Sequence, residues 1–219
     1  MAVTAPSPRS NTQGRAPLTR ERIARAALGL IERKGLQGLT MRALGAKLKV
    51  EAMSLYHHVP SREAVLDAVM DLLVQEVEIP TEGAWPDRLR RTAWSHREAA
   101  LRHPHAWPLM LTRPYTTEPT LEYCDRLCAL MGEAGLDPQG TAVLFRLVGH
   151  YLDGALLYTA LGPGRLHDPA PPPVPVDPDR FPALARVGPH LRRQLADAHF
   201  EFGLERIIEA CVRAAKRKA

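Results

Sequence analysis

Cysteine is scarce. The chain has three in 219 residues, an odd number with no scaffold spacing, which fits a reducing compartment rather than a disulfide framework. No uninterrupted apolar run of about 18 residues occurs, so neither a membrane span nor a membrane partner is expected. The opening MAVTAPSPRSNTQGRAP lacks the apolar core of a secretory signal, which points to the cytoplasm. A glycine-rich phosphate loop, HExxH and GxSxG are all missing. Catalytic residue types are present, but no spacing selects them, so the chain is not expected to be an enzyme. His96, His103 and His105, with Cys124 and Cys128, carry metal-binding chemistry without a tight motif, and Pro104 breaks any helical pairing. Core cysteines and surface histidines are the expectation, with no metal site and no cofactor.

What is present is enough apolar residue, 45%, for a real core in one large or two modest domains. Charge is unevenly placed. Residues 1–60 hold ten Lys or Arg against three acids, whereas the remainder holds nineteen against twenty-one. A basic first quarter fits an anionic partner.

That quarter contains TMRALGAKLKVEAMSLYHHVPSR, residues 40–62, which reads as helix, tight turn and second short helix. Thr40 can cap a helix with Met41, Leu44 and Leu48 inward. Gly45 is small where two helices must cross closely. The apolar period changes phase through Lys49-Val50-Glu51, and Val50 and Leu55 would pin the second helix. Ala52, Met53, Ser54, Tyr56, His57 and His58 remain around its open side. Pro60 stops it and Ser61 caps the next helix. A helix of about seven residues is unstable alone, so its sense is as a presented surface.

Around this lie an arm over 1–17, rich in Pro, Ser, Thr and Gly, and a first helix after Thr19. Its stripe is Ile23, Ala26, Ala27, Leu30 and Ile31, and Lys34-Gly35 ends it. Arg22 stands where a capping box has Glu, so the cap is expected to be incomplete. A further stripe from Ala64 to Val77 makes a fourth helix, over 61–78, long enough to reach a second domain.

Residues 18–78 resemble the N-terminal domain of the TetR family of bacterial transcriptional regulators. The resemblance is carried by LTRERIARAALGLIERKG, GLTMRALGAKLKV and SLYHHVPSREAVLDAV. One departure is Lys49, where the family usually has glycine; if positive φ is required there, lysine costs about 1 kcal/mol and adds charge near phosphate. The resemblance implies a base-reading role for Arg42 and apolar base contacts for Ala52 and Met53. It implies phosphate positioning by Tyr56, His58 and Arg62. Thr40, Ser54 and His57 complete the expected DNA-binding set, with Thr40 directing helix N–H groups toward phosphate.

From Trp85 the pattern stays helical. Stripes run through Leu89, Ala93, His96 and Ala100, then from Leu121 to Met131. A long apolar helix is expected from Thr141, its Gly149 and Gly154 explained by close helix approach. A proline-rich loop over 161–179 follows, and the helical pattern returns from Pro189. WPDRLRRTAWSHREAALRHP, LTRP, VGHYLDG and AHFEFGLERIIEA resemble the ligand-binding and dimerisation domain of the tetracycline repressor-like subgroup. That likeness implies a domain over 67–219 beside a helix-turn-helix domain over 18–66, in an all-α fold. It implies a four-helix dimer interface, for which Gly149, His150, Gly154, Phe200, Leu204, Ile207, Ile208 and Cys211 are the candidates.

The subgroup takes its drug as a magnesium complex held by a pocket histidine. That position falls at Leu109 or Met110, and neither side chain ligates magnesium, so magnesium–tetracycline is not the expected ligand. A mostly apolar cavity for another small organic effector is. Its candidate lining is Thr92, His96, Leu109, Met110, Thr112, Arg113, Cys124, Leu127, Cys128 and Phe145. A buried Arg113 would need a carboxylate or an anionic ligand. The expected whole is a homodimeric repressor on a palindromic double-stranded operator. An activator, a regulator answering to a protein or metal, and a purely structural helical dimer are the alternatives.

Overall fold

Hydroxyl side chains start three of the first four helices. Thr19 Oγ1 accepts from Arg22 N at 3.1 Å, Thr40 Oγ1 from Ala43 N at 3.1 Å, and Ser61 Oγ from Ala64 N at 3.0 Å. They open α1 (Arg20–Lys34), α2 (Met41–Leu48) and α4 (Arg62–Gln75); α3 (Ala52–Tyr56) has no side-chain cap. The absence of a capping-box Glu therefore does not cost α1 its threonine cap. Gly35 closes α1 at φ 69°, a value open to glycine. The computed structural model describes residues 17–161, 176–191 and 196–216. Most of the arm and of the proline-rich loop lies outside them.

α2 and α3 cross where Gly45 is buried, and a Cβ there would sit 2.8 Å from the Val50 carbonyl oxygen. Lys49 between them is left-handed, at φ 58° and ψ 43°, and is the one non-glycine residue at positive φ among the described residues. Leu44, Leu48, Leu55 and Val59 bury against Ile23, Ala27, Leu30 and Ile31 of α1 and Val65, Val69 and Leu73 of α4, all within one continuous core.

The remaining helices are α5 (Trp85–Arg102), α6 (Leu109–Thr112), α7 (Glu118–Gly132), α8 (Pro138–Leu161), α9 (Pro182–Leu191) and α10 (Ala196–Lys216). Prolines occupy the first turns of α5, α7 and α8, where a missing N–H costs nothing. α8 starts earlier than its apolar pattern because Asp137 Oδ1 accepts from Gly140 N at 2.7 Å. Pro189 does not begin a helix as expected. It lies inside α9, near its end, and α10 opens at Ala196. No helix among the described residues is long and apolar enough to cross a membrane.

α4 touches both sets of helices. It packs on α1, and also on α6 and α7. Three polar ties reinforce the junction. Asp71, 5% exposed, accepts from Arg20 Nη1 at 2.8 Å and from the Thr117 hydroxyl. Asp67 and Glu63 hold Arg113. Glu32 at the end of α1 accepts from Ala106 N at 2.9 Å.

Glycine at 49 relieves the left-handed strain. Lys49→Gly is expected to raise unfolding free energy by up to about 1 kcal/mol, read from urea denaturation at fixed pH and salt.

Candidate nucleic-acid interface and effector cavity

The α2–α3 unit presents Thr40, Arg42, Lys49, Met53, Tyr56, His57 and His58 to solvent, with Ala52 and Ser54 half-buried. Met53 is 69% exposed, a large apolar side chain left open on the reading helix. The Arg42 guanidinium has no hydrogen-bond or ion-pair partner among the described residues. Arg62 is placed differently from expectation. Its Nε donates to Leu39 O at 2.9 Å and its Nη2 to Leu36 O at 3.0 Å, so it clamps the turn before α2 from within. Buried carbonyls at a helix end need donors, and Arg62 supplies them.

A cavity of about 340 Å³ lies between α5, α6, α7 and α8. Thr92, His96, Met110, Arg113, Cys124, Leu127 and Phe145 line it as expected. Three expected residues do not line it. Leu109 is buried in the core, Thr112 turns its exposed hydroxyl back to Pro108 O at 2.9 Å, and Cys128 is exposed. α6 is a single turn, so neighbouring residues diverge quickly. Trp107, Leu111, Tyr115, Tyr123 and Asp153 also line the cavity, and the sequence reading missed them. Asp153 had a visible signal, an acid in the middle of an apolar helix.

Most polar groups in the wall are already engaged. His96 Nδ1 donates to Thr92 O at 2.9 Å, since a carbonyl can only accept; Nε2 then accepts from the Tyr123 hydroxyl. Burial pushes the His96 pKa down to about 4, opposed in part by that backbone hydrogen bond, so the ring is neutral. Burial likewise holds the Tyr123 phenol well above its ordinary value. The Tyr115 hydroxyl donates to Met110 O at 3.1 Å, and its ring stacks on Tyr123 with centroids 6.2 Å apart. Thr92 Oγ1 donates to Arg88 O at 2.9 Å. The buried indole N–H of Trp107 has no hydrogen-bond partner among the described residues.

Arg113 closes the cavity toward α4. Its Nε donates to Asp67 Oδ1 at 3.1 Å and its Nη1 to Glu63 Oε2 at 2.5 Å. Burial opposes the charge, but the two carboxylates outweigh that and hold its pKa above the usual arginine value. The carboxylate it needed is thus supplied from within the chain.

The expected dimer residues divide. Phe200, Leu204, Ile208 and Cys211 are buried within their own protomer, Ile207 is half-buried, and Gly149 lines the cavity. His150 and Gly154 are exposed, on a face of α8 shared with Val143, Leu147 and Leu157. On α10 the open apolar residue is Phe202, 66% exposed. The apolar stripe of α10 is its inward face, and periodicity alone does not tell a core face from a partner face. A Cβ at Gly149 or Gly154 would meet nothing within 4 Å among the described residues of the protomer; within it, α8 and α10 approach closely at Gly203, under Tyr151.

Residues 23–69 match the family described as "Bacterial regulatory proteins, tetR family", and residues 79–211 match "Tetracyclin repressor-like, C-terminal domain". An HTH-type transcriptional regulator of Saccharopolyspora erythraea is 30% identical over 151 residues, 68% of this chain and 64% of that protein's length. The HTH-type transcriptional repressor DrrR1 of Streptomyces coeruleorubidus is 28% identical over 88% of this chain and 76% of its own. Among solved structures, Streptomyces coelicolor ActR in complex with actinorhodin superposes with a TM-score of 0.79 at 28% identity, over 94% of this chain and all of that one.

The neutral His96 makes stability pH-dependent. Its folded pKa is depressed from 6.5 to about 4, so the stability it permits is full above pH 6.5 and is lost as pH falls toward 4. Urea denaturation across that window is expected to show a one-proton destabilisation that His96→Gln removes.

Proposed function

Since this chain belongs to the TetR family of bacterial transcriptional regulators, we propose that an effector in the α5–α8 cavity releases it from DNA through Arg113 and α4. It is a DNA-binding, ligand-responsive regulator that acts as a homodimer, and not an enzyme. The reading is repression of genes behind a palindromic operator, in the bacterial cytoplasm, and its likeness to the repressor DrrR1 supports repression over activation. One observation carries the mechanism. Arg113 lines the cavity and at the same time grips two carboxylates near the start of α4, the helix that follows the reading helix α3.

Two α3 helices, with Arg42 and Lys49 beside them, would enter successive major grooves about 34 Å apart. A ligand that moves α6 displaces Arg113, shifts α4 and changes that separation. Binding of ligand and of operator are then coupled free energies, each weakening the other equally. The exposed faces of α8 and α10, with Val143, Leu147, His150, Gly154 and Phe202, are the proposed pairing surface.

The effector is proposed to be a small, largely apolar organic molecule that needs no magnesium. Leu109 and Met110 stand where the subgroup's magnesium ligand falls, and neither offers an imidazole or hard oxygen. ActR, whose structure holds actinorhodin, is a similar protein that takes an organic ligand.

Selection from a random DNA library with the purified dimer is expected to enrich one short palindrome. Arg42→Ala should weaken that operator by about 1–3 kcal/mol, measured by fluorescence anisotropy. No enrichment at low or moderate salt, with a folded dimer, would return a purely structural dimer to first place. With the operator in hand, compounds that release the protein should act equally well in EDTA. Arg113→Ala should still bind operator, while release by such a compound falls at least about tenfold in potency, the size of a typical coupling.

A further inference from the structure

Among the described residues that line the cavity, one acid, Asp153, has no ion-pair partner. Asp153 lies on α8 with Gly149, Leu152 and Leu156, all lining the cavity at helical spacing. It is half-buried, and its carboxylate has no hydrogen-bond or ion-pair partner among the described residues. Burial lifts its pKa above the ordinary carboxylate range, with the neighbouring His150 offsetting part of that. An unpaired acid facing apolar side chains is costly, and Leu or Phe would pack the same wall without the cost.

The rest of the wall points to the sign of the missing partner. The one permanent cation among the described lining residues, Arg113, is already opposed by Asp67 and Glu63. His96 is neutral. The hydroxyls of Thr92, Tyr115 and Tyr123 donate to protein acceptors, so what they offer a ligand is lone pairs. The unpaired donor, Trp107 N–H, is neutral and does not cancel the acid. Trp107, Tyr115, Tyr123 and Phe145 surround the space with aromatic rings, whose negative faces attract cations and stack on flat frames.

We propose that the cavity selects an aromatic organic cation, a protonated amine on a flat apolar frame, with Asp153 as its counter-charge. The inference rests on the effector reading of the cavity and narrows it to one charge class. The amine meets the carboxylate on α8 and the frame stacks among the rings. An anionic ligand would face Asp153 with no free permanent cation among the described lining residues to meet it. A neutral one would leave the acid uncompensated.

Three probes share one tricyclic frame and differ in charge: 9-aminoacridine, a cation at neutral pH, neutral acridine, and anionic acridine-9-carboxylate. Each is titrated without DNA into the purified full-length dimer, with tryptophan quenching and calorimetry as readouts. The cation is expected to bind at least about tenfold tighter than acridine, as an ion pair with cation–π contacts allows. Asp153→Asn should remove that advantage and leave acridine unchanged, and Asp153→Glu should keep part of it. Circular dichroism checks that each variant is folded. Equal binding of the three probes, tighter binding of the anion, no binding of any, or an Asp153→Asn variant that still prefers the cation overturns the assignment. Operator selection by the same preparation is a separate readout. Its failure would sink the regulator reading and leave the charge preference standing, whereas intact operator selection with no charge preference sinks this inference alone.

Discussion

Three carboxylates on one file of α4 hold the two ends of the molecule together. Glu63, Asp67 and Asp71 recur every four residues, on the helix face that meets α1, α6 and α7. Asp71 ties Arg20 of α1 to Thr117 at the start of α7, and the other two hold Arg113 at the end of α6. Asp71, the buried one of the three, must be paired, because removing one partner of a buried pair leaves an uncompensated charge. Apolar residues on the same helix, Val65, Leu66, Val69, Leu72 and Leu73, supply the burial that makes the pairs matter. Packing holds α4 in place, and the ion pairs set where α6 and α7 sit against it. A packed seam pinned by a few discrete pairs switches between discrete arrangements rather than deforming continuously, which suits a regulator.

The cavity is built on the same economy of polar groups. A chain from Arg88 O through Thr92, His96 and Tyr123 satisfies donors along its wall and fixes the aromatic rings that shape it. His96 stands between Trp107 and Tyr123, edge-on to the first with centroids 6.1 Å apart. A neutral imidazole suits this place, since among the described residues its ring nitrogens meet a carbonyl and a hydroxyl and no carboxylate that would compensate a charge. Asp153 is the acid of this wall that no such chain engages among the described residues.

At the surface, α8 and α10 show how one apolar stripe serves two purposes. Leu144, Val148, Leu152 and Leu156 of α8 face the protomer's own core, while Val143, Leu147 and Leu157 are exposed. α10 turns Phe200, Leu204, Ile208 and Cys211 inward, and salt bridges from Arg90 to Glu201 and Glu205 fix its rotation against α5. The exposed apolar residues of α8, with Phe202 of α10, remain for a partner. An exposed patch of this kind is what a subunit interface leaves when one protomer is considered alone.

The sequence by itself determined the all-α class, the cap residues Thr19, Thr40 and Ser61, and the crossing at Gly45, whereas the left-handed backbone at Lys49 was only a conditional expectation until the fold showed it. These depend on neighbours within a few residues, where helical period and cap chemistry act, so a linear reading reaches them. Through the resemblance to the tetracycline repressor-like domain it also reached part of the cavity lining, Thr92, His96, Cys124, Leu127 and Phe145 on the long helices among them. Only the tertiary structure decided the partners of Arg62, Arg113 and Asp71. Those contacts join residues 23–51 positions apart, and a charge in a sequence carries no record of which distant group will neutralise it. The same holds for the inward turn of α10 and for Asp153. Periodicity reveals that a face is apolar or that an acid interrupts it, but what covers that face, and what is missing opposite that acid, is set by packing.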